Sequence, residues 1–322
     1  MGAVPDGMSA PRAKPLFERI AIIGLGLIGS SIARAVRRTN AAAIIAASDA
    51  QPRVLARVRE LGLADEISET AEEAARGADL VILCVPVGAN ADVARRIGPS
   101  LTRGAIVSDV GSVKAAVELA VAPHLPAGVH LVPAHPVAGT EQSGPDAGFV
   151  SLFLHRWCII TPPEGADPAA VERVREFWRA LGSNVETMTA AHHDLVLAIT
   201  SHLPHLIAYN IVGTAADLEE ALRAEVIKFS AGGFRDFTRI AASDPTMWRD
   251  VFLYNKDAVL EMLGRFNEDL SALQRMIRRG DSDGLFELFT RTRAIRMGIV
   301  AVGQETAAPD FGRAREDAPQ GA

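Results

Sequence analysis

The sequence predicts an α/β domain built on a doubly wound parallel sheet, followed by an all-α domain. Three observations predict it. Short Ile/Val/Leu runs alternate with helical patterns from Phe17 to about Met188; a glycine-spaced turn joins the first run to the first helical pattern; and beyond Met188 the strand signals stop. Continuous apolar runs between helices are what a parallel sheet covered on both faces requires. A chain of 322 residues exceeds one ordinary core and suits two domains, 17–188 and 189–303. They lie between tails at 1–16 and 304–322, where Pro, Gly and charge replace periodicity and disorder is expected.

The expected strands are, in order, "RIAIIG", "AIIAASD", "ADLVILCVP", "AIVSDV", "HLVPAHP", "WCIITP" and "NVETM", with helical segments such as "SSIARAVRR" and "PAAVERVREFWRALG" between them. The helical half is punctuated at Pro204, "AGG" (231–233), "SDP" (243–245) and Gly280. Its longest helix is expected to start at "SDPT", with Ser243 or Asp244 as N-cap and Pro245 in the first turn, and to run to Gly280. Along it Val259, Leu263, Phe266, Leu270, Leu273 and Ile277 keep heptad spacing. So long an amphipathic helix needs a partner, which predicts a dimerisation domain and a homodimer.

Composition narrows the function. With 48% hydrophobic and 22% charged residues both domains can bury a core, and a net charge of −6 argues against nucleic acid or an anionic membrane as partner. A small-molecule substrate is expected instead. Cys84 and Cys158 each lie in an apolar run without disulfide or zinc spacing, as buried thiols of a cytoplasmic protein do. The N-terminus lacks the apolar core of a leader, and no apolar run reaches the roughly 18 residues of a spanning helix, so neither export nor membrane insertion is expected.

"IAIIGLGLIGSSIA" sets Gly24, Gly26 and Gly29 as G-x-G-x-x-G directly after a strand and directly before a helix, which makes the fold Rossmann-type. Gly24 permits the tight turn, Gly26 lets the backbone approach a pyrophosphate, and Gly29 lets helix and strand lie close. Leu27 and Ile28 complete the cofactor turn, and Val85 and Pro86 are placed beside the same cofactor. Asp49, twenty residues past Gly29, can accept from the adenosine ribose hydroxyls and would repel a 2'-phosphate, favouring NAD. Arg53 could partly offset that repulsion, which leaves secondary NADP use open. FAD shares the fingerprint, but no second flavin-type motif accompanies it.

Four further stretches are rich in reactive side chains: "SDVGSVK" (108–114), "AHPVAGTEQSG" (134–144), "TSHLPHLIA" (200–208) and "GGFRDFTRIAASDPTMWRD" (232–250). The first two follow strands and belong at the sheet's carboxyl edge, where ligands of such folds bind. Ser112 reads either as a helix N-cap or as a hydroxyl facing the nicotinamide crevice. His135 is stiffened by prolines on both sides and reads either as a tethered core histidine or as a base near its ordinary pKa. His202 and His205 have i, i+3 spacing, but no Cys or acidic ligand joins them and no metal is expected. Arg239 follows Asp236 by one turn, so that carboxylate could hold the guanidinium for an anion contact or merely pair with it at the surface.

Taken together, "DVGSVK", "HPVAGTEQSG", "SHLPH" and "DFTRIA" with "DPTMWRD", in that order behind the glycine turn, resemble the prephenate and arogenate dehydrogenases of tyrosine biosynthesis over roughly residues 18–303. The resemblance implies NAD-dependent oxidative decarboxylation of a cyclohexadienyl acid, with His135 as catalytic histidine, Ser112 orienting it and the ring hydroxyl, and Arg239 holding a carboxylate. It also implies that His205 and Glu141 line the substrate pocket, that Asp236, His202 and Trp248 lie at it, and that the helical domains dimerise. Two rivals differ in their residues. A β-hydroxyacid dehydrogenase uses a lysine on the first long helix after the sheet, where "AAHHDLVLAITSHLPHLIAYN" has none. An NAD-sensing regulator would carry a basic DNA-reading face, and no such face is evident.

Overall fold

The structure, a computed structural model, describes residues 12–217 and 232–301. The break expected at Ala231, and the expected tails apart from residues 12–16 and 1 or 2 residues past helix end, lie wholly or mostly outside them. The chain divides into two compact units, residues 1–262 and 263–322.

The first unit carries the strands β1 (Phe17–Ile23), β2 (Ala42–Ser48), β3 (Glu66–Ile67), β4 (Leu80–Leu83), β5 (Ile106–Asp109), β6 (His130–Leu131), β7 (Ala134–Pro136), β8 (Trp157–Ile160) and β9 (Asn184–Thr187). Six of them form one parallel sheet in the order β3-β2-β1-β4-β5-β6. That order reverses between β1 and β4, which opens a crevice at their carboxyl ends. "HLVPAHP" is split by Pro133: β6 ends the parallel sheet, and β7 begins a separate sheet in which it runs antiparallel to β8. Proline offers no N–H to a ladder, so the sheet changes there.

Helices α1 (Leu27–Thr39), α2 (Pro52–Glu60), α3 (Ala71–Ala75), α4 (Asn90–Ile97), α5 (Ala115–Val121) and α6 (Pro168–Ala180) connect the strands. Ile20, Ile22, Ile32, Val36, Ile45 and Leu80 are buried between sheet and helices, and each such side chain contributes about 1.5–3 kcal/mol relative to exposure. Chain beyond β9 is helical: α7 (Ala190–Leu197), a π-helical turn (Ala198–His202), α8 (Leu203–Ala216), α9 (Gly232–Thr238), α10 (Pro245–Tyr254), α11 (Lys256–Arg279) and α12 (Ser282–Ala301). The run Ala190–Ala216 is long and apolar enough, by length and composition, to cross a membrane, contrary to the expectation from sequence. His193, Asp194 and His202 are buried along it within the protein, as in the core helix of a folded domain.

The single long helix expected from Asp244 to Gly280 is interrupted. Asp244 is the N-cap, accepting from Met247 N at 2.9 Å, but α10 stops at Asn255 (φ −109°, ψ 31°). The buried Asn255 amide donates instead to the main-chain oxygen of Asp194 at 2.8 Å and lies 3.1 Å from His202 Nδ1. That side-chain competition ends the helix. α11 ends where expected, at Gly280 with φ +65°.

In the second unit, Leu270, Ile277, Phe286, Phe289, Ile295 and Met297 are exposed, Phe286 at 73%. Apolar exposure on this scale marks an interaction surface.

Candidate active site

At the crevice the three glycines have distinct physical reasons. Gly24 has φ +98°, and a Cβ there would lie 2.3 Å from the carbonyl oxygen of Cys84. A Cβ on Gly29 would lie 2.0 Å from the carbonyl oxygen of Gly24. Gly26 has open space around it and is the N-cap of α1, which has no side-chain cap and no acid in its first turn. Helix N–H groups beside unobstructed backbone fit the pyrophosphate of a dinucleotide. Leu27 and Ile28 form that first turn.

Asp49, just past β2, accepts from Leu25 N at 2.8 Å and Gln51 N at 2.9 Å. A carboxylate so oriented keeps lone pairs for ribose hydroxyls. Arg53 is exposed, its Nε donating to Gln51 Oε1 at 2.8 Å. Val85 and Pro86 follow β4 on the opposite lip, and Gly88 N in that loop donates to Asp250 Oδ2 at 3.2 Å, tying the lip to α10. These residues fit NAD.

Beyond the crevice a hydrogen-bonded line of side chains runs from β7 to α7. His135 Nδ1 meets His193 Nε2 at 2.8 Å, and His193 Nδ1 meets Asp194 Oδ1 at 2.8 Å. Asp194 accepts only, so His193 carries its proton on Nδ1 and presents Nε2 as an acceptor. His135 must then donate through Nδ1, which leaves its Nε2 lone pair for a substrate proton. The structure thus sets the imidazole in the tautomer a general base requires.

His135 is not a base at its ordinary pKa, as the sequence suggested. Burial holds it well below the usual histidine range, and His193, Lys114 and His202 push in the same direction. It is therefore neutral at physiological pH.

Asp194 also caps α5, accepting from Lys114 N at 2.7 Å and Ala115 N at 2.9 Å. Ser112 is thereby displaced from the N-cap role: the helix starts three residues later, and Ser112 sits half-buried in the β5–α5 loop with its main chain facing His202. Lys114 is wholly buried. Its Nζ contacts Asp109 and donates to the Ala134 oxygen at 2.8 Å, while Asp109 accepts from Gly111 N at 2.8 Å and Ala134 N at 3.3 Å.

A second cluster adjoins the first through Trp248. The His205 ring stacks on Trp248 at 3.7 Å between centroids, and His202 meets the same indole edge-on at 6.1 Å. Trp248 also packs with Val113 and Val251, anchoring α10 to the β5–α5 loop. His205 Nδ1 donates to Ser201 O at 2.8 Å, so its Nε2 is an acceptor. Burial lowers the pKa of both histidines, His202 to about 4. Among the described residues no group of three or more His, Cys, Asp or Glu side chains could hold a metal.

Arg239 heads a short 3₁₀ turn and donates through Nη1 to Glu141 Oε2 at 2.8 Å, 98 residues away. The sequence reading gave that role to Asp236. Asp236 is instead exposed beside Arg235 at 3.6 Å, because a long-range carboxylate reaches the guanidinium. The positive field of Arg239 also reaches His205. Glu141, Arg239, His205 and Trp248 therefore gather near the base, while Asp236 stands apart at the surface.

His193, Asp194, Lys114, Asp109 and Asn255 were missed from sequence. One signal was present: Asp194 is the only acidic residue in the apolar run 190–216, and a carboxylate in such a helix is buried only when partnered.

Comparison with known proteins agrees over nearly the whole chain. Residues 32–187 match the family model described as prephenate dehydrogenase, nucleotide-binding domain, and residues 189–291 that described as prephenate dehydrogenase, dimerization domain. A cyclohexadienyl dehydrogenase of Zymomonas mobilis is 42% identical over 284 residues, covering 88% of this chain and 97% of that protein. The structure of Aquifex aeolicus prephenate dehydrogenase with hydroxyphenyl propionate and NAD+ superposes with a TM-score of 0.82 at 33% identity, covering 88% of this chain and 98% of that one. Synechocystis arogenate dehydrogenase gives 0.73 at 27% identity, covering 87% and 99%. With both halves matched, the chain belongs to the prephenate dehydrogenase family.

Proposed function

We propose that the protein catalyses NAD-dependent oxidative decarboxylation of prephenate, arogenate or both, in the cytoplasm and as a homodimer joined through its C-terminal helices. The observation that carries the chemistry is the Asp194–His193–His135 line, which leaves one imidazole nitrogen unprotonated and available. The named relatives act on these two acids. The exposed apolar side chains of α11 and α12 favour the homodimer.

Bound NAD, held by the glycine turn and Asp49, supplies the hydride acceptor for the ring carbon that bears the substrate hydroxyl. His135 Nε2 takes the hydroxyl proton as that oxygen becomes a carbonyl. Asp194, acting through His193, stabilises the imidazolium so formed. The ring is now a vinylogous β-keto acid. Its bond to the carboxyl carbon breaks, carbon dioxide leaves, and the electron pair passes through the ring to the oxygen. His135 returns its proton there to give the phenol, with aromatisation as driving force. Ser112, at the mouth of the same loop, orients His135 and the hydroxyl.

Arg239 binds a substrate carboxylate, which replaces Glu141 on the guanidinium. Arg239→Ala therefore raises KM for the acid about ten- to a hundredfold while kcat changes by less than about threefold, read from steady-state kinetics. An unchanged KM places the carboxylate elsewhere.

The function itself is tested by NADH absorbance with prephenate, arogenate and simple 2- or 3-hydroxy acids. Turnover is expected with one or both cyclohexadienyl acids. Signal only with simple hydroxy acids would overturn the reading.

A further inference from the structure

We propose that Lys114 is a positioning residue for this reaction, acting with Asp109 as a clamp on the peptide unit that carries His135 and as a cation that opposes protonation of its imidazole. The inference rests on His135 being the base. Lys114 Nζ contacts Asp109 and holds the Ala134 carbonyl at 2.8 Å, and Asp109 Oδ1 holds the Ala134 N–H at 3.3 Å. Both main-chain polar groups of the residue before His135 are thus gripped by one ion pair.

The same lysine reaches the side chain of His135 by a second route. Its main-chain N–H donates to Asp194 Oδ1, the atom that also meets His193 Nδ1, and His193 Nε2 meets His135 Nδ1. The contacts close a ring, His135–His193–Asp194–Lys114–Ala134, which fixes backbone and imidazole together. A buried ion pair is a poor way to stabilise a fold, because an apolar pair of similar volume does as well without desolvating charge. Stability alone therefore leaves a wholly buried ammonium unexplained. Placement of the base accounts for it.

The titratable groups around this centre are Asp109 on β5, His193 and Asp194 on α7, Cys158 on β8 and His202 in the π-helical turn. Burial keeps the two histidines and the thiol uncharged at neutral pH, and the carboxylates favour the imidazolium. Lys114 is the cation among them that disfavours it.

The test is the full-length double variant Lys114→Gln/Asp109→Asn, which keeps hydrogen-bonding groups but removes both charges. A second variant, Lys114→Met/Asp109→Leu, removes the polar groups as well. Folding is followed by circular dichroism and thermal unfolding; kcat, KM for NAD and prephenate, and the pH profile of kcat/KM are measured. We expect folded protein, KM values within about threefold of wild type, and kcat lowered about tenfold or more. The acidic limb should move to higher pH by about half a unit or more, since a lost neighbouring cation lets His135 protonate more readily. Wild-type kcat, an unmoved limb, or loss of folding in both variants overturns the proposal. A wild-type acid limb that disappears in His135→Asn keeps the two questions separate. If that limb survives in His135→Asn, the base assignment falls, and this inference with it.

Discussion

His135→Asn lowers kcat by about two to four orders of magnitude, with KM for the cyclohexadienyl acid changed by less than about threefold. The reason is local. Nε2 of His135 is the lone pair that the His193–Asp194 line leaves unprotonated, and an amide in its place cannot take a proton from the substrate. Wild-type kcat/KM should hold its plateau to pH values below the ordinary histidine range, because the base must be neutral and its pKa is held down by burial and by His193, Lys114 and His202. Activity is lost as pH falls through that lowered value. The variant lacks this limb. A variant within about threefold of wild-type kcat removes His135 from the role.

The second large effect lies at a residue that never meets substrate. Asp194→Ala leaves three donors without their acceptor, Lys114 N, Ala115 N and His193 Nδ1. At about 1–3 kcal/mol for each orphaned buried donor, denaturant unfolding should show a loss of about 3 kcal/mol or more. Turnover falls further than stability accounts for. Without the carboxylate, His193 can carry its proton on Nε2, which makes His135 Nδ1 the acceptor and puts the proton of His135 on Nε2. The base then has no lone pair to offer, and kcat drops about a hundredfold or more in protein that remains folded. Wild-type kcat in folded Asp194→Ala would mean that the tautomer is set by other contacts.

What could be read from sequence was whatever short-range chemistry fixes. The turn after β1 was legible because three glycines three or fewer positions apart each answer a steric demand within that turn, and Asp49 because strand β2 delivers it to the same loop. The start of α10 was legible from Asp244 and Pro245, which act on their own first turn. Errors arose where the decisive partner is distant in the chain. The cap of α5 comes from Asp194, 80 residues away from Lys114, so Ser112 was the nearest candidate visible locally. Arg239 had a carboxylate one turn back, yet the one that reaches it comes from the loop after β7. Asn255 reads as an ordinary helix residue until its amide is seen to serve Asp194 and His202. The pKa of His135 depends on burial and on three neighbours from other elements, none of which its flanking prolines disclose.

The π-helical turn at Ala198–His202 has a consequence for any helical wheel drawn through Ala190–Ala216. A wheel at 100° per residue assumes constant winding, and the wider turn resets the phase midway. His193 and His205 occupy faces that such a projection misassigns relative to each other. Removing one residue from that turn, and so restoring regular winding, would swing the whole of Leu203–Ala216 by about 100° and carry the His205 ring off the indole on which it rests.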